Sequence, residues 1–350
     1  MIVNRYNKTP AKPRIALCGI GQYGRITAEA AIDAGYQIVG AYNRAGPKIG
    51  KDLGRVFGWD RDLGVIVEDI ATTDLKKVDA DVGIVTQSND LRGDMPTYTR
   101  LMEAGINVIS LAMQAYYPYG CDAEAAAAID ICARKNKVTF TGSGLHDLSR
   151  LWCGIALAGQ CTSLTSVYHE SFTDYRLQGL PEQMPAFGIG GTVDNYWKLG
   201  VDKAKLWPVY TAGVAHVLVA LGYTVTETSV KIEPIVRDEP FDCPWLKTVI
   251  PAGCVLGTRT IGLVTTKEGV TGHCKTEGWP SLDEDEDYTL WRVEGKPRGE
   301  IRMKRLDPDY INGACLVNRV KDVIAAPPGI VLISQYGPMQ GPELGRQMAG

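Results

Sequence analysis

The sequence predicts an α/β protein in two parts: an N-terminal doubly wound parallel sheet, then an α+β part built on a mostly antiparallel sheet. Three observations predict it. A glycine-rich turn, Gly19-Ile-Gly-Gln-Tyr-Gly24, lies between a short apolar stretch, Arg14–Cys18, and a helical pattern. Strand and helix patterns then alternate through Thr141, as in a parallel sheet with helical crossovers. Beyond Asp147 the pattern becomes a run of strands with few helices between, which points to antiparallel pairing.

Gly19, Gly21 and Gly24 fall at G-x-G-x-x-G spacing, and each has a task in a dinucleotide-binding turn. Gly19 permits the tight turn out of the strand. Gly21 lets the backbone approach a pyrophosphate with no Cβ in the way, and Gly24 lets the helix pack close to the sheet. The helix start offers N–H groups and the positive end of its dipole, both suited to phosphate. Glycine is common here, 39 of 350 residues, so the spacing alone is a weak signal. The strand before it, the helix after it and the second strand beyond give it weight. The reading is a Rossmann domain whose cofactor contacts begin with Gly19, Ile20, Gly21, Gln22, Tyr23 and Gly24.

A chain of 350 residues has room for two cores. Charged residues make up 22% and the net charge is −3, so the basic footprint of a nucleic-acid binder is missing. No apolar run reaches the roughly 18 residues of a membrane span. Met1–Pro13 has Arg5, Lys8 and Lys12 but no apolar core of a secretory leader, and reads as a disordered lead-in. The nine cysteines are scattered, without a C-x-x-C pair, as expected of reduced thiols in a cytoplasmic protein.

In order, Gln22–Ala34 reads as a helix stopped by Gly35, and Gln37–Tyr42 as the second strand. At its end, about 20 residues past the glycines, a carboxylate would bond the adenosine ribose and repel a 2′-phosphate. This chain has Asn43 and Arg44 there, an amide and a phosphate-pairing guanidinium, so NADP(H) is expected in preference, with NAD(H) tolerated. Lys48–Phe57 reads as a helix and Val65–Ile70 as a strand. Asp81–Thr86 is a buried strand leading into the polar loop Gln87-Ser-Asn-Asp90, at the strand end where ligands sit in such sheets; Thr86, Gln87 and Ser88 join the expected cofactor contacts. Helix Leu91–Ala104, strand Ile106–Ser110, the aromatic loop Leu111–Tyr119, helix Cys121–Asn136 and strand Lys137–Thr141 follow. Gly142-Ser-Gly-Leu-His-Asp147 breaks the pattern, and an apolar helix begins near Leu148. Strands are expected at Thr165–Tyr175, Thr224–Arg237, Cys254–Lys267, Val270–Gly278, Tyr288–Val293 and Gly299–Leu306, with a helix at Pro208–Gly222. The acidic run Asp283–Asp287 reads as a solvated loop, and Tyr310–Ala326 as a late helix closed by Pro327-Pro-Gly329. The expected boundaries are 1–145 for dinucleotide binding, 146–310 for substrate and dimerisation, and 311–350 for a helix and tail packing back on the first domain.

Several stretches resemble the dihydrodipicolinate reductase-like oxidoreductases, and within them the 2,4-diaminopentanoate dehydrogenases and native amine dehydrogenases. They are Gly19–Gly24, Gly50-Lys-Asp-Leu-Gly54, Gly105-Ile-Asn-Val-Ile-Ser110 leading to Tyr117-Pro118, Val323-Ile-Ala-Ala-Pro-Pro-Gly329 and, more loosely, Gly213-Val-Ala-His216 running into Ala220–Tyr223. The resemblance implies a Rossmann domain, a second domain whose sheet mediates dimerisation, and NAD(P)H-dependent chemistry at a C=N bond. It also implies a Glu-Glu pair before the Tyr-Pro pair, with a glutamate in acid/base work. This chain has Met113 and Gln114 at those positions, and neither exchanges a proton usefully near neutral pH. Where the family tends to read Gly-x-Gly-x-Asn-Pro-Gly, this chain reads Gly142-Ser-Gly144-Leu145-His146-Asp147.

The chemistry therefore rests on other residues. His146 has the side-chain type for proton transfer, and follows the last strand of the first domain. Gln114 can bind a polar substrate group, and Tyr117 can line the pocket or donate a proton. Asp147 is either a partner or a helix N-cap. His169 lies on a strand of the second sheet, and His216 is expected to pack on its helix. The expected activity is hydride transfer to or from a C=N or C=O carbon of a small substrate, in the manner of an amine dehydrogenase. A carbonyl reductase or alcohol dehydrogenase that needs no ammonia, and a non-catalytic dinucleotide sensor, are the alternatives. Neither a metal nor a nucleic-acid or membrane partner is expected, and a homodimer is.

Overall fold

The computed structural model describes residues 9–10, 12–203, 207–281 and 287–341. The start of the lead-in and the acidic residues 283–286 lie outside the described residues. The chain divides into two compact units, Met1–Asp147 with Asp309–Gly350, and Leu148–Pro308.

In the first unit β1 (Arg14–Cys18) leads through the glycine turn to α1 (Gln22–Asp33) and β2 (Gln37–Asn43). A short α2 (Leu53–Val56), β3 (Val67–Asp69), β4 (Val82–Val85), α3 (Leu91–Glu103) and β5 (Asn107–Ser110) follow. Next come α4 (Pro118–Cys121), α5 (Ala123–Lys135), β6 (Thr139–Gly142) and a short α6 (Leu145–Asp147). After the second unit the chain returns with a long helix, Pro308–Ala325, and a two-residue strand, Gly329–Ile330. That strand adds to the edge of the sheet, whose order is Gly329–Ile330, β6, β5, β4, β1, β2, β3, with every pair parallel. The central strands are apolar runs buried on both faces, as helix-covered parallel strands must be. One layer holds Leu17, Ala28, Ala31, Val82 and Ile84 with Leu316, Val320 and Val323 of the C-terminal helix; the other holds Tyr98, Leu101, Ile129 and Phe140.

Two expected helices are redrawn. Over Lys48–Phe57 only Leu53–Val56 is helical, because Asp52 caps it. Its carboxylate accepts from the N–H groups of Gly54 (2.8 Å), Leu63 (2.9 Å) and Gly64 (2.8 Å), which holds the preceding residues in a turn. The expected helix over Cys121–Asn136 starts at Ala123, because Asp122 takes extended φ and caps it, accepting from Ala125 N–H at 3.1 Å.

In the second unit a π-helical turn, Leu148–Trp152, runs into α7 (Cys153–Ala158), then β7 (Ser163–Asp174), α8 (Tyr175–Gln178), α9 (Val193–Lys198) and α10 (Pro208–Ala220). The strands β8 (Val225–Val236), β9 (Phe241–Cys243), β10 (Thr248–Ile250), β11 (Val255–Thr266), β12 (Thr271–Trp279), β13 (Tyr288–Lys296) and β14 (Gly299–Lys304) complete it. β9 and β10 pair alone, and the main sheet has the order β14-β13-β7-β12-β11-β8. It is antiparallel except for β7 and β12, which run parallel. The nearly all-apolar α10 covers one face, as the lack of a polar side requires. Added Cβ atoms at Gly262 and Gly272 would meet Thr211 and Val214 of that helix, so these glycines set its close approach. No disulfide joins any of the nine cysteines, and no helix among the described residues is long and apolar enough to cross a membrane.

Candidate active site

The glycine turn is a cradle with one open position. Gly19 has φ +101°, and a Cβ on it would lie 2.8 Å from the Thr86 carbonyl carbon. A Cβ on Gly24 would lie 2.0 Å from the Gly19 carbonyl oxygen. Both glycines are therefore needed by the protein's own packing. A Cβ on Gly21 would meet nothing within 4 Å, so its absence serves whatever approaches from outside. α1 begins there with no side-chain cap and no acidic residue in its first turn. An uncapped, unopposed helix start fits a pyrophosphate, and the residues present thus fit a dinucleotide. The side chains of Gln22 and Tyr23 turn to Asp309, so these two residues offer the turn their backbone N–H groups. The ammonium of Lys48 bonds the Ile20 carbonyl, which places a cation beside the turn.

The ends of β2 and β4 border the same turn. Thr86 Oγ1 donates to the Gly19 carbonyl at 2.9 Å, tying the ends of β1 and β4 together. Ile20 N–H reaches Asn43 Oδ1 at 3.5 Å, and Arg44 is exposed. Ser88 donates to Asp94 through its N–H (3.2 Å) and hydroxyl (2.8 Å), and Thr97 donates to Gln87 Oε1 at 2.8 Å. Asp94 is 3% exposed. Burial raises its pKa, while the Ser88 bonds and the charge of Arg44 act in the opposite direction. The Nε2 of Gln87 is buried with no hydrogen-bond partner among the described residues.

His146 lies in α6, 8% exposed, with its ring stacked on Tyr116 at 4.9 Å between centroids. The neighbouring backbone is fixed by Asn312, whose Oδ1 accepts from Leu145 N–H at 2.8 Å. Asp147 is not available as a partner for substrate. Its two oxygens accept from Arg319 Nε and Nη2, both at 2.7 Å, and one accepts from Ser143 Oγ at 3.0 Å. Arg319 also donates to Asp322 at 2.7 Å. Gln114 is 6% exposed, and its Oε1 accepts the first N–H of α3, from Leu91, at 2.9 Å. Tyr117 is half-buried, and its phenol pKa is raised by burial and then by Cys121, so it is protonated at neutral pH.

The remaining histidines are held elsewhere. His169 is buried in β7, bonded through Nε2 to Thr289 Oγ1 at 3.0 Å, with its ring 4.6 Å from Trp291. Burial, then the charges of Arg150 and Arg305, hold its pKa well below the usual value, so it is neutral. His216 is fully buried in α10, and burial pushes its pKa down to about 3. His273 is exposed, beside Thr271. Among the described residues no group of three or more His, Cys, Asp or Glu side chains could hold a metal ion.

Sequence reasoning did not single out Lys48, Asp94 or Asn312. Asp94 had one legible signal: Asp94 and Tyr98 lie four apart on α3, hence on one face. Lys48 and Asn312 come to the site through loop geometry and a sequence separation too long for any local pattern.

A parallel sheet of this topology with an open glycine cradle at its carboxyl edge defines a dinucleotide-binding fold. The comparisons agree. The chain is 27% identical over 347 residues to 2,4-diaminopentanoate dehydrogenase of Acetoanaerobium sticklandii, covering 91% of this chain and 92% of that protein. It superposes on the amine dehydrogenase of Mycobacterium smegmatis with a TM-score of 0.84 and 26% identity, over 94% of this chain and 97% of that one. The myo-inositol 2-dehydrogenase of Lactobacillus plantarum shares the fold, with a TM-score of 0.57 and 11% identity over 96% of this chain and 95% of the other. No family model matches the chain. The resemblance carried by Gly19–Gly24 and the later motifs thus holds along most of the chain, an NAD(P)-dependent oxidoreductase similar to 2,4-diaminopentanoate dehydrogenase and to an amine dehydrogenase.

Proposed function

We propose that the enzyme interconverts a small carbonyl compound and ammonia with the corresponding amine, and that it uses NADPH in preference to NADH. The observation that carries this reading is the cradle of Gly19, Gly21 and Gly24 under the uncapped start of α1. The amine chemistry is supported by the likeness to 2,4-diaminopentanoate dehydrogenase and to an amine dehydrogenase. The NADPH preference is supported by Asn43 and Arg44 where a carboxylate would repel a 2′-phosphate, with Lys48 as a second cation near the turn.

In the reductive direction the carbonyl condenses with ammonia and loses water, and the C=N carbon accepts a hydride to give the amine. The nicotinamide, when bound, supplies that hydride. Backbone N–H groups at Gly21–Gly24 would hold the pyrophosphate, and Thr86, Gln87 and Ser88 would line the edge beyond it. His146, braced by Tyr116, exchanges the proton that condensation and dehydration require. The protonated Tyr117 phenol donates to the substrate heteroatom, and Gln114 orients a polar substrate group. We further propose a cytoplasmic homodimer formed through the face of the main sheet opposite α10, where Ile261 and Leu263 are 40% and 38% exposed.

Fluorescence titration with NADPH and NADH tests the cofactor, and binding of neither would overturn the reading. A ketone panel assayed with and without ammonia tests the chemistry. Turnover is expected only with ammonia. Met113 and Gln114, in place of the family's Glu-Glu pair, favour a second reading as a carbonyl reductase. Ammonia-independent turnover in the same panel would select it.

A further inference from the structure

The turn that carries His146 cannot hold its own shape. α6 is three residues long, and the cost of starting a helix is not recovered over so short a run. Its orientation comes from outside, and the C-terminal helix supplies most of it. Asn312 and Arg319 lie seven residues apart on that helix, hence on one face. Asn312 Oδ1 accepts from the N–H of Leu145, the residue before His146, at 2.8 Å. Arg319 donates to both oxygens of Asp147, the residue after it, at 2.7 Å each. One helix thus brackets His146 on both sides.

The anchor is itself anchored. The remaining guanidinium nitrogen, Nη1, donates at 2.7 Å to Asp322, one turn further along the same helix. The guanidinium carbon lies 5.5 Å from the centroid of the Tyr336 ring, and the Tyr336 hydroxyl meets Thr141 Oγ1 of β6 at 2.7 Å. Ser143 Oγ adds a further bond to Asp147, at 3.0 Å. Arg319, Asp147, Asp322 and Ser143 are all buried. A buried ion pair is a poor source of net stability, because desolvation of the two charges offsets most of their attraction. A two-pronged arginine–carboxylate pair supplies geometry instead, since its parallel bonds fix direction as well as distance.

Backbone sets the wall on which the imidazole rests. A Cβ on Gly142 would run into the Ala115 carbonyl and the Tyr116 nitrogen. Its absence lets the loop before Tyr117 press against the end of β6. The buried Tyr116 ring then stacks on His146, 4.9 Å away and 29° from parallel.

We propose that Arg319 is the positioning residue for His146, with Asn312 as the second point of attachment, so that the C-terminal helix sets where the imidazole presents its nitrogens. This rests on the proposed function for the proton-transfer role of His146 and adds the element that aims it. Arg319 acts through Asp147 and the backbone, since its Nε, Nη1 and Nη2 are all bonded to carboxylates.

The test compares NMR spectra of the unaltered protein and of Arg319→Lys, each labelled only at histidine, with kinetics beside them. The chain has four histidines, so the spectrum is small, and the His146 signal is the one lost in His146→Ala. Lysine keeps the charge but not the planar fork. The His146 ring-proton signals are expected to move downfield as the imidazole leaves the face of Tyr116, while those of His169, His216 and His273 stay in place. With acetone or cyclohexanone, ammonia and NADPH, kcat is expected to fall about tenfold or more, the effect of misplacing a proton-transfer group. The KM for the ketone and the affinity for NADPH are expected to stay unchanged. An unmoved His146 signal, an unchanged kcat, or a loss of NADPH affinity as large as the loss of kcat would overturn the proposal. If Arg319→Lys does not fold, Asn312→Ala serves: the same signal moves and kcat falls about threefold or more. No change in that variant would overturn the proposal equally. Turnover that survives His146→Ala, or none in the unaltered protein, would count against the proposed function instead, and the NMR comparison would still decide whether Arg319 places the ring.

Discussion

One methyl group separates the two kinds of glycine in the cradle. Gly24→Ala would place a carbon 2.0 Å from the Gly19 carbonyl oxygen, so the turn must open. That variant is expected to lose both thermal stability and cofactor binding. Gly21→Ala meets nothing in the protein, so its melting temperature is expected to match the unaltered enzyme while its affinity for NADPH falls by about tenfold or more, read by fluorescence titration. Arg44 gives a second residue-scale prediction. Arg44→Ala is expected to raise the KM for NADPH by about tenfold, the scale of one charged hydrogen bond, and to leave that for NADH nearly unchanged. Equal effects on both cofactors would remove Arg44 from 2′-phosphate recognition. The packing tasks of Gly19 and Gly24 were legible because each depends on local backbone and spacing. The occupation of both Asp147 oxygens was not, because the partner Arg319 lies 172 residues away.

At the scale of elements, buried polar groups join helices that the sequence treats separately. Asp147 of α6 and Arg319 of the C-terminal helix are both 0% exposed. Removing one partner strands the other charge in the interior. Arg319→Met is therefore expected to cost about 3–5 kcal/mol in chemical denaturation. The double variant Arg319→Met/Asp147→Leu is expected to recover much of that loss, which distinguishes a structural pair from a catalytic one. In α10 the histidine supplies a pH dependence. His216 has a folded pKa of about 3 against an unfolded value near 6.5, so the unfolded state binds more protons between those limits. Its contribution is complete above about pH 6.5 and is lost as pH falls towards 3, by up to about 1.4 kcal/mol per pH unit. Denaturant midpoints measured from pH 7 down to about pH 4 should fall less steeply in His216→Leu; an unchanged slope would clear this histidine. The apolar character of α10 announced its burial. The role of His216 as an acid-sensitive group follows only from what packs around it.

For the whole molecule, the open face of the main sheet makes the dimer proposal specific. Ile261 and Leu263 alternate with the buried Gly262 and Val264, so a charge at Leu263 faces outwards and leaves the packed side intact. Leu263→Glu is expected to shift the protein from dimer to monomer by light scattering without lowering its helix content. A monomeric unaltered protein would end the proposal. The run of strands in the second unit was readable from successive stretches of β character with few helices between. The parallel pairing of β7 with β12 was not, since strands read one by one carry no partner. The return of the chain to the first unit, with Gly329–Ile330 closing the sheet edge against β6, was likewise hidden in two residues too few to show a period.

By itself the sequence determined the parallel sheet, the position of the glycine turn, and the likeness to amine dehydrogenases. These rest on short-range spacing: strand alternation, helix period, and glycines where a Cβ would collide. Tertiary structure alone decided which polar groups are satisfied. It set Lys48 beside the turn, gave Asp147 to Arg319, and left two buried nitrogens of Arg150 with no hydrogen-bond partner among the described residues. Whether a charge has a partner depends on residues brought together from distant parts of the chain, and no local pattern encodes that.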